Sequence, residues 1–172
     1  YKDWFEVWNK SSSSINLGGY YVTDDPADLT KWRIPSTTIA AGAYLVIFAS
    51  RKNRAVSGRE LHTNFTCDGD GEYLALVRSD GRTIASSFFF PAQRPGYAYG
   101  LSGRSMLFSP SPTPRTANNS GLPSFVGATT ILGKRGFYTA SVNVSITCAT
   151  AGANIRYTLN GSKPTSTTGF AY

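Results

Sequence analysis

The chain has 172 residues and carries 17 Lys and Arg against 10 Asp and Glu, a formal charge of +7. Ser, Thr, Gly and Pro supply over a third of it, while there are only three Glu and one Gln, so strong helix formers are scarce and turn residues plentiful. This composition excludes a helical bundle, a coiled coil and a helix-on-sheet α/β enzyme. It leaves length for one or two modest domains with a core and holds no apolar stretch able to span a bilayer.

In chain order, residues 4–8 form an aromatic and apolar run that ends in the turn cluster 9–14. Gly18-Gly19 leads into a second run over 20–22, punctuated by Asp24, Asp25 and Pro26. The continuous apolar run 44–49 reads as a strand buried on both faces. Residues 73–77, Ser79-Asp80-Gly81-Arg82 and 83–89 read as a hairpin with an Asp-Gly turn, and the consecutive rings Phe88, Phe89 and Phe90 cannot all point inward. The Pro-alternating stretch from Ser109 to Pro114 favours extended, linker-like backbone. Strand patterning resumes over 141–149 and 154–158, before an Asn160-Gly161 turn. Val142, Val144, Ile146 and Cys148 recur at period two, which predicts an inward-facing Cys148. Short strands between turn signals give an all-β sandwich. The expected organisation is a first domain over 1–114, a linker over 115–123 and a smaller β module over 124–172 that reads as truncated. From residue 119 onward there are four cations, Lys134, Arg135, Arg156 and Lys163, and no acid.

Across the first segment, Asp3-Trp4-Phe5-Glu6-Val7-Trp8-Asn9, Leu17-Gly18-Gly19-Tyr20-Tyr21-Val22-Thr23-Asp24-Asp25 and Leu29-Thr30-Lys31-Trp32-Arg33-Ile34-Pro35 occur in order. The run from Ile39 to Ser50, then Leu61-His62-Thr63-Asn64-Phe65, Gly71-Glu72-Tyr73-Leu74-Ala75-Leu76 and Pro112-Thr113-Pro114 complete the series. Together these motifs resemble a lamin tail domain, in its bacterial rather than nuclear flavour, which implies an immunoglobulin-like β-sandwich. Gly136-Phe137-Tyr138, the alternation from Val142 to Ile146, Ala153-Asn154-Ile155-Arg156-Tyr157-Thr158 and Asn160-Gly161-Ser162-Lys163-Pro164-Thr165 resemble the β module at the C-terminus of chitobiase and β-hexosaminidase. Asn160 and Lys163 replace the acids usual in that module's turn. The pairing implies a larger exported bacterial protein, secreted or at the cell surface.

The sites for chemistry are few. Cys67 and Cys148 lie far apart without CxxC or Cys/His spacing, which excludes a metal-binding cysteine cluster and predicts two buried thiols, with a long-range disulfide as the alternative. Sequons stand at Asn9, Asn64, Asn118, Asn143 and Asn160 and matter only in a eukaryotic secretory route. His62 is the only histidine; no GxSxG elbow surrounds any serine and no orienting carboxylate is read beside it, so a packed role is expected. No metal site is expected; Asp68, Asp70 and Glu72 are only weak candidates, ahead of Asp24, Asp25 and Asp28, since they miss the EF-hand pattern and suit a glycine turn equally. With Glu6 and Glu72 in strand motifs, a glycosidase carboxylate pair is not expected. Arg51, Lys52 and Arg54, with Arg59 beyond, form the densest positive cluster and suit a phosphate, sulfate or carboxylate polymer. Trp4, Trp8 and Trp32 are expected mostly in the core.

The expected function is a non-catalytic structural or binding module for adhesion, spacing or ligand docking. It would act on an unidentified protein or polysaccharide beside neighbouring domains of the same larger chain, with no cofactor and no membrane insertion. Polyanion binding, to DNA or acidic polysaccharide, through Arg51, Lys52, Arg54 and Arg59 is the first alternative. A neutral-glycan accessory role through exposed aromatics is the second.

Overall fold

A computed structural model describes residues 2–118 and 120–172. Tyr1, at the head of the first expected domain, and Asn119, inside the expected linker, lie outside the described residues. The strands are β1 (Asp3–Trp8), β2 (Ile15–Asn16), β3 (Tyr21–Thr23), β4 (Trp32–Arg33), β5 (Thr38–Ile39), β6 (Tyr44–Ala49), β7 (Leu61–His62) and β8 (Gly71–Val77). They continue with β9 (Ile84–Pro91), β10 (Ala98–Ser102), β11 (Ser105–Ser109), β12 (Thr129–Leu132), β13 (Ser145–Cys148), β14 (Arg156–Tyr157) and β15 (Phe170–Ala171). The fold is all-β; among the described residues no helix is present and none is therefore long and apolar enough to cross a membrane.

The chain divides into two compact units, Tyr1–Pro123 and Ser124–Tyr172. In the first, the three-stranded sheet β1-β6-β7 and the four-stranded sheet β4-β3-β8-β9 each contribute one face to the main core. Phe5 pairs with Ile47 and Ile47 with Leu61 on one inner face, while Val22 pairs with Trp32 and Leu76 on the other. These side chains, with Leu17, Ile34, Ile39, Phe65 and Leu74, form the main core. Each fully buried residue of this size contributes ~1.5–3 kcal/mol relative to exposure.

Burial on both faces belongs to β8 rather than to the run 44–49. Tyr73, Ala75 and Val77 pack with Tyr21 and Leu29 on the outer side, while Leu74 faces the main core. In β6 only Ile47 and Ala49 are fully buried, because its other face is shared with the partly covered Trp4, Glu6 and Trp8 of β1. Of the three tryptophans only Trp32 is core; Trp4 is half-buried and Trp8 is 42 % exposed. The Asp-Gly hairpin forms between β8 and β9, with Gly81 at φ 68° and Asp80 Oδ1 accepting from the amides of Arg82 and Thr83, both at 2.9 Å. Phe90 turns toward the core and Phe89 is 74 % exposed, so the three rings do part company.

Arg115 and Leu122, on either side of Asn119, pair with residues of the first unit. Phe108 and Leu122 exchange both backbone hydrogen bonds at 2.8 Å, and Arg115 N donates to Glu6 Oε1. Buried Asn9 anchors the first loop, its amide donating to the carbonyls of Ile39 (3.1 Å) and Ala40 (3.0 Å) while Oδ1 accepts from Ser11 N (3.0 Å).

The second unit pairs β12 with β13 and β14 with β15, and none of its described residues is buried. Ile146 and Cys148 do share a half-buried face, but Val142 and Val144 are exposed, so the period-two expectation holds over only part of its length.

Candidate functional site

The basic segment lies where the β6–β7 connection turns back. Arg51 and Asn53 take left-handed backbone, φ 58° and 49°, which costs energy for residues other than glycine. Hydrogen bonds hold that shape: Arg51 N donates to Phe65 O (3.2 Å), Asn53 N to Thr63 O (3.0 Å), and Arg54 exchanges bonds with His62 at 2.9 and 3.1 Å. The segment is thus a paired ribbon rather than a loose loop.

Its four cations do not act as one cluster. Arg54 is neutralised by Glu60, with Nη2 3.0 Å from Oε2 and Nε donating to the Glu60 carbonyl at 2.9 Å. Arg51 lines an open cleft of about 600 Å³ together with Asp24, Lys31, Cys67, Asp68 and Glu72. Lys52 stands against Lys2, whose pKa is lowered by contact with the Lys52 side chain, by burial and by like-charge repulsion. Arg59 sits on the exposed turn that its amide closes onto Val56 O. Lys2 was not legible as a member of this region; the antiparallel pairing of Asp3 with Ala49 brings it there.

His62 is buried, 4 % exposed, stacked on Phe48 at 5.0 Å and hydrogen-bonded through Nδ1 to Ser50 Oγ at 2.8 Å. A carboxylate does accompany it, contrary to the sequence reading: Glu60 Oε2 lies 3.8 Å from Nε2. Its period-two separation from His62 is the signal that went unused. Burial lowers the His62 pKa, Arg54, Lys52 and Lys2 lower it further, and Glu60 opposes them.

The acidic turn is occupied with its own backbone. Asp68 Oδ1 accepts from Asp70 N (2.9 Å), and Glu72 Oε2 accepts from Asp68 N (3.1 Å). Glu72 is pushed up by burial and by the neighbouring carboxylates of Asp24 and Asp68, while Asp24 is held by Lys31 Nζ at 2.5 Å. Asp25 and Asp28 each cap a nearby amide, those of Ala27 (2.8 Å) and Thr30 (3.1 Å). Among the described residues no three His, Cys, Asp or Glu side chains gather as a metal-holding set. Cys67 and Cys148 are free thiols, each half-buried rather than buried, and burial pushes Cys67 up to about 12.

Trp8 stacks on Tyr44 with centroids 5.6 Å apart, and Lys10 Nζ lies 5.0 Å over the indole. This pair is one of several exposed aromatic surfaces, and the lysine already occupies one face of the indole.

The lamin tail domain model matches residues 1–89, just over half of the chain. The chain belongs to the lamin tail domain family. The matched region carries both facing sheets, most of β9 included, and accounts for the immunoglobulin-like sandwich of the first unit. It ends before Pro112-Thr113-Pro114, so that stretch adds nothing to the assignment. Residues 134–172 match the chitobiase/β-hexosaminidase C-terminal domain, to which this part is similar. No curated protein and no solved structure matches the chain. Both matched families are accessory rather than catalytic domains.

Proposed function

We propose that this lamin tail chain is a non-catalytic structural and binding part of a larger exported bacterial protein, serving adhesion, spacing or ligand docking, with a secreted or cell-surface setting. The observation that carries the reading is the second unit: ten of its large apolar side chains, Phe137 and Leu159 foremost, are exposed and none of its described residues is buried. A module of this kind gains stability only when further polypeptide covers it. Hydrogen exchange is the test. Amides of 124–172 are expected to exchange rapidly in the 172-residue chain and slowly in the parent protein; equal rates in both would overturn the reading.

A second reading, polyanion binding through Arg51, Lys52, Arg54 and Arg59, is favoured by the hydrogen-bonded ribbon, which fixes the backbone that carries Arg51 and Arg54 before any ligand arrives. Binding to DNA or to an acidic polysaccharide should weaken steeply with salt and fall in an Arg51→Ala, Arg54→Ala double variant. No binding at low salt, or unchanged binding in the variant, would remove it.

A further inference from the structure

The His62 imidazole is 4 % exposed, yet Nε2 has no hydrogen-bond partner. Buried ring nitrogens are normally paired, so an orphan of this kind marks a place for a missing acceptor. Glu60 Oε2 points there but stops at 3.8 Å, beyond hydrogen-bond range, because Arg54 Nη2 holds it at 3.0 Å. The Glu60 side chain is 64 % exposed and can swing into solvent. Arg54 would remain in place when it does, since its Nε is tied to the Glu60 backbone carbonyl at 2.9 Å. Lys52 and Lys2 add two further positive charges acting on the same imidazole. Arg54 and one buried ring nitrogen thus converge on a position now half-filled by an internal carboxylate.

We propose that His62 Nε2 and Arg54 form an oxyanion pocket, set in the positive surroundings of the 51–59 segment, in which Glu60 is an internal stand-in that a carboxylate or phosphate group of a ligand displaces. The ligand class rests on the polyanion reading of the 51–59 segment, but the pocket adds His62 to it and assigns Glu60 the role of competitor. An incoming oxyanion selects the tautomer with the proton on Nε2, in which Ser50 Oγ donates to Nδ1. A charge-assisted contact from the Arg54 Nη atoms and the Nε2–H donor together recognise such groups.

Because the chain has a single histidine, its long-range ¹⁵N–¹H spectrum reports this site alone. The full 172-residue chain is titrated with inorganic phosphate and, separately, with glucuronate, against sodium chloride at matched ionic strength. The Nε2 signal is expected to move with at least one of the two oxyanions, and the His62 pKa to rise by about one pH unit when it is bound. The oxyanion that moves the signal identifies the phosphate or carboxylate source. Glu60→Gln, at an exposed side chain, should bind that oxyanion several-fold more tightly, and Lys52→Ala several-fold more weakly. A signal that follows ionic strength alone, or a Glu60→Gln chain that binds no better, would overturn the pocket. If salt-sensitive polymer binding persists while the imidazole stays unmoved, the pocket fails and the loop reading stands; an imidazole response without polymer binding does the reverse.

Discussion

In the first unit, Ile47 and Val77 are 0 % exposed and Val22 and Ile34 only 1 %; in the second, Ile131 is 64 % exposed although it pairs in register with Ile146. Both units are written in short strands and glycine turns, and both pair their strands antiparallel, the parallel β6–β7 pair of the first unit excepted. What separates them is a facing layer. Strand pairing satisfies backbone groups, whereas apolar side chains leave water only when a second sheet closes over them. The β1-β6-β7 sheet has its partner in β4-β3-β8-β9, and the β12-β13 hairpin has no such partner within its own unit.

The largest effect that follows is on stability. Ile47→Ala removes a fully buried side chain from the middle of the first core and should cost about 4 kcal/mol, roughly a thousandfold in the folding constant. Ile131→Ala, in the open hairpin, should change stability by no more than about 0.5 kcal/mol. Trp4, Trp8 and Trp32 all lie in the first unit, so tryptophan emission in a urea titration reads Ile47→Ala, while hydrogen exchange of the β12–β13 amides reads Ile131→Ala. A large cost at Ile131 would mean that the second unit has a core after all, and the comparison would fail.

The contrast was partly visible beforehand, and the reasons are physical. The all-β class followed from scarce helix formers, and the β8–β9 hairpin followed from Asp80-Gly81, because that dipeptide dictates a local turn. Which strand is buried twice did not follow. A run such as 44–49 shows that a strand is apolar, but the layers packed on it are chosen by distant residues, and Tyr21 and Leu29 cover β8 instead. Cys148 was placed inward by period two, which fixes a face without showing that anything covers it. The site behaved similarly. Arg51, Lys52, Arg54 and Arg59 are neighbours in sequence, yet the ribbon sends Arg51 to an acidic cleft and Arg54 to Glu60, while Lys2 arrives from β1. Burial of His62 follows from its motif; the carboxylate beside it is legible only as the period-two spacing of Glu60 and His62.

The thiols sharpen the same comparison at a smaller amplitude. Burial, with help from Glu72, Asp3 and Asp24, raises Cys67 from 9.0 to about 12. At pH 8 this lowers the thiolate fraction about a thousandfold. The higher basicity restores part of the reactivity, since nucleophilicity rises with pKa at a slope of about 0.4–0.5, leaving a net slowing of about fiftyfold. Iodoacetamide at pH 8 should therefore label Cys67 slowly in the folded chain and rapidly in urea. Cys148, in a hairpin of a unit with no buried residue, should be labelled first because low local stability lets it open. Peptide mapping of a partial reaction decides it, and earlier labelling at Cys67 would break the contrast.

The smallest effect compares the two glycine turns themselves. Asp80 precedes Gly81 (φ 68°) and Asn160 precedes Gly161 (φ 77°), and each side chain caps the turn that follows it. Asp80 accepts from Thr83 Oγ1 at 2.6 Å and from the Thr83 and Arg82 amides; Asn160 Oδ1 accepts from Ser162 Oγ at 2.7 Å and Ser162 N at 3.1 Å. The bonds from Thr83, then that from Arg82, depress the Asp80 pKa from 3.8 to about 2, whereas an amide cap cannot titrate. For a depressed acid the stabilising contribution is complete above the unfolded value and disappears as pH falls through the folded one. The Asp80 caps should thus persist at pH 5, weaken from about pH 4 and be lost near pH 2. The Thr83 amide shift should follow that titration while the Ser162 amide stays level, and Asp80→Asn should make the first turn as indifferent to acid as the second. A Thr83 amide that does not respond between pH 4 and 2 would show that the carboxylate does not hold the turn, leaving Gly81 to define it alone.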